Sequence, residues 1–222
     1  MAYKRNPCLL RLMNEALIIF VKNPIAGQVK TRLAATLGPK IALSIYQQLL
    51  EYTLRVTSTL EGRIYVYYDK EIMMDDLWNG KEKRLQSGSD LGQKMENAFA
   101  EVFADGNAKV AIIGSDCGEL SAEIISEAFL KLENNDVVIG PARDGGYYLL
   151  GMKSKWPESL RDQTELFRNK NWSSQFVLME TLVMLEKANV YLLQVLSDID
   201  VEDDVSRSPW LWDYLCQLRN NS

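Results

Sequence analysis

A carboxylate directly follows a short apolar run near the middle of the chain. Residues 110–113 form the run, and Gly114, Ser115 and Asp116 come next. A run of this length that ends at a glycine is typical of a buried strand in a parallel sheet, and open α/β sheets bind ligands beyond the carboxyl ends of their strands. A carboxylate there can hold a hard divalent cation, which in turn holds phosphates. Asp116 is therefore a candidate metal ligand and catalytic residue; the alternative is that it caps a turn or the next helix.

A cationic loop follows the first apolar run, residues 16–21. The loop carries three cations and one glycine that could contact a ligand: Lys22, Gly27, Lys30 and Arg32. Backbone amides together with Lys and Arg side chains hold di- and triphosphates. The order of residues is that of neither a Walker A loop nor a GxGxxG dinucleotide loop. The loop is a candidate phosphate-binding segment, and a solvated basic loop is the alternative.

A turn with two glycines separates the apolar runs at residues 136–140 and 147–152. Asp144, Gly145 and Gly146 form a strong turn signal, so a plain hairpin is the simplest interpretation. The two glycines would also let a ligand approach the backbone closely. Asp144 is then a candidate catalytic base or acceptor ligand, and the glycines are candidate ligand contacts.

An acidic cluster lies near the end of the chain. Residues 198–204 contain five carboxylates, which repel one another unless water or a cation compensates them. In an extended backbone Asp198 and Asp200 would share one face. Either could join Asp116 on one Mg²⁺ or Mn²⁺, whereas Asp203 and Asp204 are expected to cap the following helix. A solvated acidic turn is the alternative.

The composition excludes several kinds of site. The chain of 222 residues contains no histidine, which rules out Ser-His-Asp and Cys-His catalysis and every histidine-ligated metal. Its net charge of −5 argues against nonspecific binding of nucleic acid. The three cysteines have no paired spacing, which favours reduced thiols and a cytoplasmic location. No apolar run approaches the roughly 20 residues of a membrane span.

The order of the segments predicts the fold. Apolar runs of strand length alternate with helical patterns of ten or more residues, which is typical of a mostly parallel sheet with helices on both faces. Residues 1–15 are expected to be an N-terminal leader. We see no internal repeat and no linker after it, so residues 16–222 are predicted to form one α/β domain.

The motifs together resemble a bacterial family of GT-A-like transferases, the family of unknown function 2064, often described as radical-SAM/selenodomain-associated transferases. The residues that carry the resemblance are Phe20, Val21, Lys22, Pro24, Gly27, Val29, Lys30, Thr31, Arg32, Leu33, Asp90, Leu91, Gly92, Gly114, Ser115, Asp116, Cys117, residues 140–142 and 144–151, Trp172, Ser173, Asp198 and Asp200. They follow in the family's order over nearly the whole chain beyond residue 15. One position departs: Gly118 stands where the family usually has proline, which loosens the turn after Asp116.

The resemblance implies the nucleotide-diphospho-sugar transferase fold, a Rossmann-like three-layer α/β/α sandwich. It implies that residues 22–32 hold nucleotide phosphates, and that Asp116 binds the metal, with Asp198 or Asp200 as a second ligand. The expected partners are a nucleotide or nucleotide-sugar donor and a small acceptor that the sequence does not identify.

Three functions follow from this site. The first is a metal-dependent transferase that uses a nucleotide-diphospho-sugar donor, that is, a glycosyltransferase. The second is a nucleotidyltransferase that releases pyrophosphate from a nucleoside triphosphate; the single glycine of the loop, Gly27, favours the first slightly. The third is a nucleotide-binding protein without activity. The Trp-rich tail could then be a homodimer contact, although a terminal helix docked on its own core is the alternative.

Overall fold

The computed structural model describes residues 14–155, 163–168, 170–172 and 174–220. The expected leader, apart from its last two residues, lies outside this part, as do Cys8 and Ser173. The strands are β1 Glu15–Val21, β2 Arg63–Tyr68, β3 Glu82–Leu85, β4 Lys109–Ile113, β5 Val137–Pro141, β6 Tyr147–Lys153 and β7 Val190–Leu192. The α-helices are α1 Thr31–Leu37, α2 Pro39–Thr57, α3 Leu91–Ala104, α4 Ala122–Lys131, α5 Val177–Met184, α6 Glu202–Arg207 and α7 Pro209–Asn220, and a 3₁₀ helix spans Gln163–Phe167.

The strands form one seven-stranded sheet in the order β3-β2-β1-β4-β6-β5-β7. All neighbouring pairs are parallel except those that β6 makes with β4 and β5. The chain winds from β1 to β2 and β3 on one side, and then crosses to β4 on the other. The direction of winding therefore changes between β1 and β4, which is where open α/β sheets form a ligand crevice. The predicted mostly parallel α/β sandwich is confirmed.

Helices cover both faces of the sheet because the central strands are apolar on both. Leu17 and Ile19 of β1 pack in a cluster with Tyr46 of α2 and Ile125 of α4. Ala16 and Ile18 point to the opposite cluster, which contains four apolar side chains of α3: Met95, Ala98, Phe99 and Val102. Full burial of one such aliphatic side chain contributes about 1.5–3 kcal/mol to the free energy of unfolding.

A third cluster lies outside the sheet and holds the Trp-rich tail. Leu211 and Leu215 of α7 are fully buried against Leu33 of α1 and Ile199. Trp210 stacks on Tyr52, with ring centroids 5.0 Å apart, and its indole N–H donates to the carbonyl of Gly118 over 3.3 Å. The tail is thus a terminal helix docked on its own core.

Three of the helix starts follow the expected chemistry. Asp90 caps α3 by accepting from the backbone N–H of Gln93, and Ser121 caps α4 by accepting from Ile124. Pro39 begins α2, as proline suits a first turn. Helix α1, which the sequence patterns did not predict, starts without a side-chain cap. Arg32 belongs to this helix and not to the preceding loop.

No helix in the described ranges is both long enough and apolar enough to cross a membrane.

Candidate functional site

A cavity of about 520 Å³ opens at the carboxyl ends of the parallel strands. Lys22 after β1, Asp69 after β2 and Asp116 after β4 bring polar groups to it. Tyr147 brings the amino end of β6 to the same edge because β6 runs in the opposite direction. A neighbouring cavity of about 200 Å³ is lined in part by Lys30, and it shares Lys22, Tyr46 and Asp116 with the first. We refer to them as the main and the minor cavity.

The candidate residues divide between the two cavities. The main cavity is lined by Lys22, Asp116, Asp144, Gly146 and Asp198. The minor cavity is lined by Lys22, Lys30, Arg32, Asp116 and Asp200. Gly27 and Gly145 line neither. Asp116 thus lies where the two cavities meet.

The ammonium of Lys30 joins two of the candidate carboxylates. Its Nζ lies 2.9 Å from Oδ1 of Asp116 and 3.1 Å from Oδ1 of Asp200. Burial acts to lower the pKa of Lys30, but the charges of Asp116 and Asp200 outweigh it, so the pKa is raised overall. Lys30 therefore remains protonated throughout the physiological range.

The acidic cluster is fixed beside Asp116 by backbone hydrogen bonds. The N–H of Ile199 donates to the carbonyl of Asp116 over 2.9 Å. The carboxylate of Asp204 accepts from the N–H groups of Asp200 and Val201, both at 2.9 Å, at the start of α6. Because Ile199 is buried in the third core cluster, Asp198 and Asp200 both remain on the side of the cavities.

Asp198 is a half-buried carboxyl group without a direct cation partner in the described chain. Burial, and then the negative charge of Asp116, raise the pKa of Asp198 to about 7; Lys30 opposes this only in part. At neutral pH the carboxyl of Asp198 is therefore close to half protonated, and a cation placed beside it would favour its charged form.

Tyr46 connects the loop after β1 with the turn after β4. Its hydroxyl accepts from the N–H of Lys22 over 2.8 Å, donates to the carbonyl of Lys22 over 3.1 Å and lies 3.2 Å from Oγ of Ser115. Burial and the charge of Asp116 raise the pKa of Tyr46, so the phenol stays neutral. No sequence pattern indicates this role, because Tyr46 fits the apolar face of α2.

The turn at Asp144 is the hairpin that its residues predict. Oδ1 of Asp144 accepts from the N–H of Gly146 over 3.0 Å, and Gly145 adopts φ +91°. A Cβ atom on Gly145 would lie 1.9 Å from the carbonyl oxygen of Gln175. Gly145 is thus required by the turn and by the packing of residues 174–178, and the close approach of a ligand is not needed to explain it.

Trp172 forms the wall of the main cavity nearest to α3. Its indole lies so close to Gly92 that a Cβ atom there would be 2.6 Å from the ring, and it meets Tyr147 edge to face at 6.4 Å. Lys94 lines the same cavity, and no described carboxylate lies within ion-pair distance of it. The sequence did not identify Lys94 as a site residue, because Lys94 lies on the polar side of the amphipathic helix α3.

The side chains fit a divalent cation that is shared with a substrate. In the described residues no cluster of three or more His, Cys, Asp or Glu side chains could hold a metal alone. However, Oδ1 of Asp116 and Oδ1 of Asp200 face a single point, now taken by the Lys30 ammonium. Mg²⁺ is usually held by one or two carboxylates plus substrate phosphates and waters, and this donor set matches that pattern.

Cys117 does not supply a nucleophile. Its thiol is buried beside Asp116, and burial raises its pKa to about 12, with a further rise from the charge of Asp198. A thiol of this kind is protonated at neutral pH and behaves as a small apolar group.

Comparison with known proteins gives a family and a fold. The profile of the family "Uncharacterized protein conserved in bacteria (DUF2064)" matches residues 53–174. None of the curated proteins matches the chain. A solved structure from Desulfovibrio desulfuricans G20, provisionally named a nucleotide-diphospho-sugar transferase, is 29% identical over 85% of this chain and 83% of that chain, with a TM-score of 0.76.

Two more distant structures share the architecture alone. A 4-diphosphocytidyl-2C-methyl-D-erythritol synthase from Anaerococcus prevotii DSM 20548 is 13% identical, with a TM-score of 0.58 over 92% of this chain and 98% of that chain. The inositol-1-phosphate CTP transferase from T. maritima is also 13% identical, with a TM-score of 0.53 over 92% and 96% of the two chains.

Proposed function

We propose, since this chain belongs to the bacterial family DUF2064, that it is a nucleotide-using transferase which takes a nucleotide-diphospho-sugar as donor with the help of Mg²⁺ or Mn²⁺. The observation that carries the proposal is the position of Asp116. It lies at the exit of β4, between two cavities, with Lys22 beside it and Lys30 bound to it. The similar protein from Desulfovibrio desulfuricans G20 supports a transferase that acts on nucleotide-diphospho-sugars.

Each part of the site has a role in this proposal. The cations Lys22, Lys30 and Arg32 hold the diphosphate, and Asp116 holds the divalent ion together with Asp198 or Asp200. When bound, the ion would neutralise the diphosphate and stabilise the charge that develops on the leaving group. Asp144 lines the main cavity at the hairpin, where it would orient the acceptor or take its proton.

A cytoplasmic site of action belongs to the same proposal. Cys117 and Cys216 are free thiols, and free thiols persist in a reducing compartment.

The experiment is a thermal-shift screen of nucleoside diphosphates and nucleotide sugars, each with and without Mn²⁺. A ligand that binds only the native state raises the melting temperature. We expect shifts that require Mn²⁺ in the wild type and that are lost in Asp116→Asn. Asp213→Asn, an exposed carboxylate of α7 away from the site, serves as the matched control and should keep the wild-type shifts. A Mn²⁺-dependent shift that persists in Asp116→Asn would remove Asp116 from the metal role.

A second function, transfer of a nucleotidyl group, is favoured by one observation. The fold of this chain matches almost the whole length of the two more distant structures, one of which is named a CTP transferase. The products separate the two reactions, because a nucleotidyltransferase releases pyrophosphate and a sugar transferase releases a nucleoside diphosphate. Release of pyrophosphate from a nucleoside triphosphate in the presence of a phosphorylated acceptor would decide for the second function.

A further inference from the structure

Lys30 is an unusual residue in both its side chain and its backbone. Its side chain is 4% exposed, whereas those of its partners Asp116 and Asp200 are 37% and 41% exposed. Within the described residues it is the only non-glycine residue with positive φ, at φ 47° and ψ 48°. A left-handed backbone disfavours a side-chain-bearing residue by about 1–2 kcal/mol and persists only where the surroundings enforce it.

The surroundings of Lys30 show what enforces this conformation. Lys30 is the N-cap of α1, and its carbonyl accepts the first helical hydrogen bond from Ala34 over 2.7 Å. The turn into α1 directs the ammonium inward, onto Asp116 and Asp200. Arg32 approaches Asp200 from the solvent side, at 3.5 Å from Oδ2, and thereby leaves Oδ1 to Lys30.

The ammonium and a divalent ion would need the same place. Oδ1 of Asp116 and Oδ1 of Asp200 both lie about 3 Å from Nζ of Lys30. A Mg²⁺ ion coordinated by the same two oxygens would lie about 2.1 Å from each, which leaves no room for the ammonium between them. Lys30 has a flexible stem and three donors, so a phosphate group in the adjoining cavity offers it another partner.

We propose that Lys30 is the resident cation of this site and that it must be exchanged before a divalent ion can bind. In the free protein the ammonium neutralises Asp116 and Asp200. The phosphates of the donor draw it away, and the two carboxylates then accept the ion. Binding of metal and binding of diphosphate therefore depend on each other. This inference rests on the proposed function, of which it describes the order of assembly.

The first experiment titrates Mn²⁺ into the full chain without nucleotide and follows the free ion by electron paramagnetic resonance. Lys30→Met removes the ammonium and keeps the length of the side chain. Lys40→Met, at an exposed position of α2, is the matched control. Because two carboxylates without a resident cation attract a divalent ion more strongly, Lys30→Met should bind Mn²⁺ at least about tenfold more tightly than the wild type. Lys40→Met should equal the wild type.

The inference is overturned if Lys30→Met binds Mn²⁺ no more tightly than the wild type. It is also overturned if neither protein binds Mn²⁺. The nucleotide screen described above reports on the proposed function separately. If no nucleotide binds, the transferase fails, while the titration with metal alone still decides whether Lys30 occupies the place of the ion.

A second measurement uses the wild type and remains decisive if Lys30→Met does not fold. The ammonium resonance of Lys30 is followed by NMR in protein labelled with ¹⁵N-lysine, with Mg²⁺ alone and with Mg²⁺ plus inorganic pyrophosphate. We expect the resonance to stay unchanged with Mg²⁺ alone and to shift when pyrophosphate is added. A shift with Mg²⁺ alone, or no shift with both, contradicts the exchange.

Discussion

Asp116, Asp198 and Asp200 are three carboxylates in one site, and their surroundings make them different. Asp200 is paired with Lys30 and Arg32, and Asp116 shares the same ammonium. Asp198 has no such partner and faces the main cavity with a raised pKa. The position in the sequence does not distinguish Asp198 from Asp200, because the difference arises from which cavity each side chain reaches.

The pKa of Asp198 predicts a stability that depends on pH. Its folded-state pKa of about 7 lies above the ordinary value of 3.8. The folded state therefore binds more protons between these values, and the free energy of unfolding falls as the pH rises through this window. Asp198→Asn removes the charge, so it should raise the free energy of unfolding at pH 8 by at most about 4 kcal/mol and change it little at pH 4.

Urea unfolding of the wild type, Asp198→Asn and Asp213→Asn at both pH values measures this effect. Asp213 is exposed, so its variant should match the wild type at both. If Asp198→Asn is no more stable than the wild type at pH 8, the charged carboxyl of Asp198 does not destabilise the folded state and the prediction is wrong.

At the scale of single elements, the hairpin between β5 and β6 sets one wall of the site. Its turn residue Gly145 has φ +91°, and Gly106 in another turn has φ +89°. A Cβ atom on Gly145 would lie 1.9 Å from the backbone of Gln175, whereas one on Gly106 would meet no atom within 4 Å. The two glycines thus have nearly the same φ angle, but their surroundings differ.

This pair predicts two different effects of alanine. Gly106→Ala should lower the free energy of unfolding by about 1 kcal/mol, which is the penalty of the left-handed backbone. Gly145→Ala should lower it by at least about 2 kcal/mol more, because residues 174–178 must move. Chemical denaturation of both variants measures the difference. Equal losses of the free energy of unfolding would mean that residues 174–178 can move at little cost.

The sequence predicted the elements better than their arrangement. Period and caps are local properties, so α2, α3 and α4 and the strand cores could be read from spacing and from residues such as Asp90 and Ser121. The place of β6 between β4 and β5 could not, because an apolar run looks the same in either direction. The ion pair between Lys30 and Asp200 could not be predicted either, since it joins residues 170 positions apart.

For the whole molecule, the third core cluster links the end of the chain to the site. Leu211 of α7 packs in the same cluster as Leu33 of α1 and Ile199, which lies between Asp198 and Asp200. The helix that begins beside Lys30 and the acidic segment are therefore supported by one apolar contact surface. A substitution that disrupts this contact surface should therefore alter the main and minor cavities.

Leu211→Ala tests this connection. Removing a fully buried leucine should lower the free energy of unfolding by about 2–5 kcal/mol. It should also weaken Mn²⁺-dependent nucleotide binding under conditions where the protein is still folded, because α1 and residues 198–200 lose their support. Leu130→Ala, at a leucine that is 54% exposed, is the control and should change neither quantity. Unchanged nucleotide affinity in folded Leu211→Ala would show that the site is held without α7.

The two outer strands of the sheet have a consequence for how molecules of this protein meet one another. β3 carries Glu82, Lys83 and Arg84 in a row, and β7 is only three residues long. Charged and short edge strands are poor templates for pairing with a strand from another molecule. The charges of β3 and the short length of β7 thus protect the apolar inner strands from edge-to-edge aggregation.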